Sequence, residues 1–290
     1  MLIVVVDSAT PAITAALASV SDAGIEMLAE AVTVDGRAHG ELLAPAIASV
    51  LAEGGAGPRD LDAVVAGLGP GPFTGLRVGL VTAAALADTL NIPAYGVCTL
   101  DALGWAAGPG RILVATDARR KEIYWAVYED GVRLTEPAVG KPADLLPPNG
   151  VGPLSDDASR SAKGAGSFRD GAGSFGDGAG SPSGGAGSFG GGAGVVPGDA
   201  GVVPGGAGVV PGGAGLLPGG VRAAVGDGAL RYADVLGLPV LDEPRYPPAS
   251  GFAALAADRV RTGMPTEPLT PLYLRRPDAV LPGARKPALR

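Results

Sequence analysis

Leu2 to Val6 is a short unbroken apolar run, closed by Asp7 and the turn Asp7-Ser8-Ala9-Thr10-Pro11. A β-branched run of that length predicts a strand covered on both faces. Ile13 to Val20 and Ile25 to Val34 predict two further strands, joined by the hairpin signal Ser21-Asp22-Ala23-Gly24. From Gly40 to Glu53 the period changes to that of a helix. Leu42, Ala46 and Val50 form one i, i+4 row and Leu43, Ile47 and Leu51 the next, giving a broad apolar face. Pro45 fits only the first turn of a helix, so a late start or a bend is expected there. Gly54-Gly55-Ala56-Gly57-Pro58 is the stop.

Leu61 to Leu68 predicts a buried strand, followed by a loop of alternating Gly and Pro and then a helix over 74–89, with Thr74 as its cap. Gly75, Gly79, Ala83 and Ala87 make one ridge of that helix almost without side chains. Interior glycines each cost roughly 1 kcal/mol against alanine, so something must approach the ridge closely enough to offset them. That neighbour is either the helix's own sheet or a second molecule. Ala94 to Val97 is one more strand.

The pattern then restarts. Arg111 to Asp117 repeats the apolar strand ending on Asp, and Lys121 to Glu129 and Gly131 to Val139 predict its second and third strands. The expected architecture is α/β, a duplicated fold of two βββαβα-type halves with a cleft between them. Residues 1–98 form the first half; 99–163 and 220–290 form the second. Between these pieces, 164–219 is a run of heptads such as GAGSFGD and GAGVVPG, too rich in Gly and Pro for a coiled coil and expected to be a flexible insert. Beyond it, Val221 to Leu236 predicts a strand end turning into a helix with Asp227 as cap. Ser250 to Arg261 predicts a helix capped by Ser250, with Phe252, Leu255, Ala256 and Val260 inward. The tail gathers Arg275, Arg276, Arg285, Lys286 and Arg290, which solvent or an RNA phosphate chain could meet.

The formal net charge of −7 argues against a stand-alone nucleic-acid binder, so work on RNA would need a partner. A single cysteine, Cys98, excludes a disulfide framework and fits a reducing cytosol. The apolar run Val78 to Ala87 is too short to span a bilayer of ~30 Å, and no secretory signal is evident; a cytoplasmic protein with no membrane association is expected.

Asp at the end of the first strand of each half is the layout of actin-like (ASKHA) and sugar-kinase-like ATPases, which hold Mg²⁺ and nucleotide phosphates between their halves. Asp7, Thr10, Asp117, Gly226 and Asp227 are the candidates for such a cleft. Ala9 stands where those enzymes favour glycine. His39 is the only histidine, so neither a paired-His metal site nor a credible Ser-His-Asp triad is available. The glycine loop lacks the GK[ST] of a phosphate-binding Walker loop, and Cys98 reads as a core residue. The chain is expected to carry no complete active site of its own.

Gly69-Pro-Gly-Pro-Phe-Thr-Gly-Leu-Arg-Val-Gly79 resembles the GPGSFTGLRIG motif of the TsaB (YeaZ-type) family, dimerisation subunits of the bacterial tRNA threonylcarbamoyladenosine machinery. Leu2 to Thr10, His39 to Pro45, Asp117 to Tyr128 and Pro271 to Arg276 resemble it too. The resemblance implies a non-catalytic paralogue of the transferase TsaD, pairing helices 40–53 and 74–89 with the equivalent helices of TsaD. The implied interface is Leu42, Leu43, Ala46, Ile47, Val50, Gly75, Arg77, Gly79, Ala83 and Ala87. It further implies binding of the pair by TsaE, ATP and Mg²⁺ used by the complex rather than by this chain, and contact with tRNA through the complex. A homodimer through the same helices is a further expectation. The alternatives are an ATPase or small-molecule kinase using the Asp7/Asp117 cleft, and, least supported, a peptidase.

Overall fold

A computed structural model describes residues 1–145 and 217–275. The first sheet is built from β1 (Leu2–Asp7), β2 (Ala12–Ser21), β3 (Gly24–Val34), β4 (Ala63–Gly67) and β5 (Ala94–Val97), in the order β3-β2-β1-β4-β5. β1 runs antiparallel to β2 and parallel to β4, and β4 runs parallel to β5. The period of two explains why the opening run is apolar throughout. Val4 and Val6 face a core completed by α1 (His39–Glu53) and α2 (Phe73–Leu90). Ile3 and Val5 face the opposite core, filled by Tyr95 and by Phe252, Ala253, Ala256 and Val260 of the last helix, Ala249–Arg261.

The second sheet contains β6 (Arg111–Asp117), β7 (Ile123–Glu129), β8 (Val132–Arg133), β9 (Ala138–Gly140) and β10 (Ala223–Val225). Its order is β10-β6-β7-β8, with β9 also paired to β7. Helices α3 (Thr99–Ala106), α4 (Asp227–Arg231), α5 (Ala233–Leu236) and α6 (Ala249–Arg261) are the remaining α-helices among the described residues. α3 joins the two sheets. Leu100 and Leu103 enter the core of Ile112, Val114 and Tyr128, while Ala102 packs in the core beneath α6. The helices approach backbone to backbone at Gly251, where a Cβ would stand 2.6 Å from the Ala102 carbonyl oxygen.

Several expectations are corrected. α1 begins at His39 and runs through Pro45 rather than starting late. Pro45 and Glu41 both lie on the exposed side, where water can take the carbonyl the proline leaves without a partner. α2 begins one residue before Thr74, after Pro72, and has no side-chain cap; α6 likewise follows Pro248 rather than a Ser250 cap. Leu255 is exposed instead of inward. The strand expected over Gly131 to Val139 is two short pieces, β8 and β9. α3 has no counterpart in the sequence reading, because its eight residues with an internal glycine carry little helical period. α6, assigned by position to the second half, packs on the first sheet. Among the described residues the second sheet therefore lacks the full βββαβα complement of the first. Most of the 164–219 insert, and the basic residues Arg276, Arg285, Lys286 and Arg290, lie outside the described residues.

Candidate functional site

The glycine–proline loop leaves β4 through a cis Gly69–Pro70 bond and lies against the β1–β2 turn. A Cβ on Gly71 would be 2.2 Å from the Ala9 carbonyl oxygen. α2 then settles onto β1 through one side chain. The Ser8 hydroxyl donates to the Gly75 carbonyl at 2.7 Å and accepts the Gly79 amide at 2.8 Å. It thus sits between an i, i+4 pair of the helix backbone. A Cβ on Gly79 would come within 2.5 Å of that hydroxyl oxygen, and one on Gly75 within 2.8 Å of the Ser8 carbonyl. The neighbour that the bare ridge requires is Ser8. Ala83 and Ala87 on the same ridge are buried in the core with α1 and the sheet.

Asp7 points inward. Its carboxylate fills the space over Gly67, where a Cβ would stand 1.8 Å from Oδ1. Thr99 donates to Oδ1 at 3.0 Å and itself accepts the Gly69 amide at 3.1 Å. The carboxyl is 1% exposed and its Oδ2 finds no partner. Burial pushes its pKa up to about 7, against the pull of Thr99 and of the Ala9 and Ser8 amides.

Asp117, at the end of β6, is arranged differently. Its carboxylate pairs with Arg231 at 2.8 Å and accepts the Arg119 amide at 3.1 Å. Its own amide donates to Asp227 at 3.2 Å. Asp227 is buried, which lifts its carboxyl to about 6, and the Asp117 charge adds to that. Asp117 lines a cavity of about 780 Å³ together with Pro11, Asp35, Arg37, Arg119 and Arg231.

On the outside of the first sheet the two long helices present a different surface. α1 carries no charge between Glu41 and Glu53, and Ala44, Pro45, Ala48 and Ser49 are exposed. α2 carries none between Arg77 and Asp88, with Val81 66% exposed beside exposed Ala84 and Ala85. α2 is long and apolar enough by length and composition to cross a membrane, yet its ridge is buried against the sheet as in a core helix. At its start the Arg77 guanidinium lies 3.7 Å above the Phe73 ring, and its Nε donates to the Tyr273 hydroxyl at 3.0 Å. A groove of about 1270 Å³ runs between α2 and the segment from Gly263 to Tyr273.

The family model for TsaD, tRNA N6-adenosine threonylcarbamoyltransferase, matches residues 26–169. An uncharacterized protein of Mycobacterium tuberculosis is 52% identical over 145 residues, which are 50% of this chain and 67% of that one. TsaB, the tRNA threonylcarbamoyladenosine biosynthesis protein of Escherichia coli, is 38% identical over 97 residues, covering 32% of this chain and 42% of the relative. The match to Bacillus subtilis TsaB is 36% over 106 residues, 36% of this chain and 46% of the relative. YeaZ from Pseudomonas aeruginosa shares the fold at a TM-score of 0.59 and 21% identity, over 94% of this chain and 99% of that one. The chain belongs to the TsaB (YeaZ-type) family.

For this TsaB-family chain the interface residues expected from the resemblance divide into two groups. Leu43, Ile47, Val50, Gly75, Gly79, Ala83 and Ala87 are buried against the chain's own sheet and helices, so they are not a surface for a partner. Their spacing does mark a close approach, but an internal one. Leu42 and Ala46 are half-buried and Arg77 is exposed, so only these three border open surface. Of the cleft candidates, Thr10 and Gly226 are buried; a Cβ on Gly226 would stand 2.3 Å from the Ala115 carbonyl oxygen. Asp7 is sealed behind Gly67 and Thr99, and Asp117 is held by a guanidinium. These residues do not fit a Mg²⁺–nucleotide, which needs carboxylates open toward the phosphates. Among the described residues no group of three or more His, Cys, Asp or Glu is placed to hold a metal ion. Sequence reasoning missed Phe73, Val81 and Tyr273. The uncharged stretch of α2 was the available signal for Val81, whereas nothing local could bring Tyr273 to Arg77.

Proposed function

We propose that this chain is a non-catalytic subunit of the tRNA threonylcarbamoyladenosine machinery that docks a TsaD-type transferase through the outward faces of α1 and α2. The observation that carries this reading is the uncharged outer strip centred on Val81, Ala84 and Ala85 of α2 and Ala44, Pro45 and Ala48 of α1. Surface helices of a monomer ordinarily place charge there, and an apolar strip of small side chains allows another helix pair to approach closely. Support for the pathway comes from the names of the E. coli and B. subtilis relatives, and for a TsaD-like ancestry from the family match. The matched stretches span less than half of either TsaB relative.

On this reading the chain works in the cytoplasm, contributes no catalytic group, and serves tRNA modification as part of a complex that also includes TsaE; the same strip could hold two copies together. The duplicated actin-like architecture belongs to the proposal too. Its support is that β10, β6 and β7 repeat the parallel-then-antiparallel pairing of β4, β1 and β2.

The test is capture of the cognate TsaD-type transferase by the full chain and by Val81→Asp and Ala84→Glu. Both variants should retain the parent's thermal midpoint and lose the heteromeric peak in size-exclusion chromatography. Undiminished co-elution of both would refute the docking face.

A further inference from the structure

Four arginines meet at one place in a chain whose formal charge is −7. The cavity of about 780 Å³ between the β1–β2 turn, the end of β3 and the β6–β7 turn is lined by Arg37, Arg119, Arg120 and Arg231, with Asp35 and Asp117. Both carboxylates are already engaged from within. Asp35 accepts the Arg37 amide at 2.8 Å, and Asp117 accepts the Arg231 guanidinium and the Arg119 amide. Among the described residues no carboxylate pairs with the guanidinium of Arg37 or Arg119.

The fold brings these cations together on purpose-shaped backbone. Arg119, Arg120 and Lys121 are consecutive left-handed residues, with φ of 61°, 54° and 63°. Each costs roughly 1–2 kcal/mol in a residue with a Cβ, so the basic turn is held by its surroundings rather than by preference. From it Arg119 reaches across to the end of β3, its Nη2 3.8 Å from where a Cβ on Gly36 would lie. The pairing of Arg231 with Asp117 fixes its direction while 62% of its side chain stays exposed.

We propose that this arginine-lined cavity binds consecutive phosphate groups of an RNA strand. Guanidinium forks match phosphate oxygens in geometry as well as charge. The lining offers no aromatic ring on which a base could stack, so it would read backbone rather than sequence. Arg231 occupies the carboxylate that a metal would need, which makes phosphate recognition here direct. The identity of the RNA as tRNA rests on the functional reading above; the site itself does not. A free polyphosphate shares the chemistry, and the experiment separates the two sources.

A fluorescein-labelled tRNA anticodon stem-loop is titrated, by anisotropy at stepped salt, with the full chain alone and in complex with the transferase. Inorganic tripolyphosphate is titrated in parallel by calorimetry. Arg37→Glu and Arg119→Glu, both at exposed positions, should keep the parent's thermal midpoint and weaken RNA binding at least tenfold. The slope of log K against log salt should fall by about one for each arginine. Arg59→Glu, exposed and outside the cavity, should bind as the parent does. No RNA binding at low salt, or equal binding by the parent and the two cavity variants, overturns the inference; tripolyphosphate binding without RNA binding overturns the RNA assignment. Val81→Asp keeps the two readings apart, since it should lose the transferase yet still bind RNA when tested alone. If the parent binds RNA through these arginines but never captures the transferase, docking fails and this inference stands.

Discussion

The Ser8 hydroxyl lies 2.8 Å from the amide nitrogen of Gly79 and 2.5 Å from where a Cβ on that glycine would be. The hydrogen bond and the missing side chain are the same fact seen twice. Gly79→Ala should displace Ser8 and cost about 2–3 kcal/mol through strain and lost hydrogen bonds. Thermal melts should show a midpoint lower by roughly 4–10 °C. Ser8→Ala removes the obstruction, so the double variant should be less unstable than the sum of the singles. Strict additivity would mean the two groups do not meet.

Asp7 makes stability depend on pH in a definite direction. Its carboxyl is raised in the folded chain from 3.8 to about 7. Below the lower value it is neutral whether the chain is folded or not, and its contribution is intact. As pH rises toward the upper value the unfolded chain ionises first, and stability is lost, by up to about 4 kcal/mol at 1.36 per unit. Asp7→Asn should remove that loss, so its urea midpoint should exceed the parent's by more at pH 8 than at pH 5. Asp227, also raised, remains in both proteins and cancels from the comparison. Parallel pH profiles for the two would exclude Asp7 as the cause.

Beneath α3, Arg133 pairs with Asp101 at 3.1 Å, and the Tyr128 hydroxyl donates to the same carboxylate at 2.7 Å. Burial raises Asp101 above the usual carboxylate range, while the Arg133 charge holds it down. Arg133→Met leaves that carboxylate without its cation. Because both side chains retain some exposure, the cost should be about 1–2 kcal/mol rather than that of a fully buried pair. Adding Asp101→Asn should recover part of the loss in chemical denaturation, since a neutral amide still accepts the tyrosine and needs no counter-charge. A further loss would assign the effect to packing of the arginine stem.

Leu80 and Val81 are sequence neighbours on α2, one turned to the sheet and the other to solvent, 5% and 66% exposed. Leu80→Asp should strip the helix from the sheet and leave little cooperative unfolding transition, because it buries an unpaired charge. Val81→Asp should change the midpoint by less than about 0.5 kcal/mol equivalent. Similar behaviour of the two by circular dichroism would show that the outer strip is not free.

Periodicity located the frame because it reports local physics. The opening run, the hairpin after it and the i, i+4 rows of Leu42 and Leu43 each record which side of an element avoids water, and β1, β2, β3 and α1 follow them closely. Pro45 misled because its cost depends on whether the orphaned carbonyl can reach solvent, which the local sequence does not specify. α3 and the division of β8 from β9 were illegible for the complementary reason: short elements take their form from the surfaces they touch.

The candidate sites divided along the same line. The chain by itself determined that some neighbour must approach the Gly75–Gly79 ridge, since interior glycines in a helix require an explanation. It determined equally that an Asp closes the first strand of each sheet. Only the tertiary structure decided that the neighbour is Ser8 of the same molecule, that Asp7 is sealed while Asp117 faces a cavity, and that Arg37 and Arg119 converge there from separate sheets. Spacing along a chain encodes how near a helix face can be approached, but the identity of what approaches is a matter of long-range packing, where residues far apart in sequence compete for the same surface.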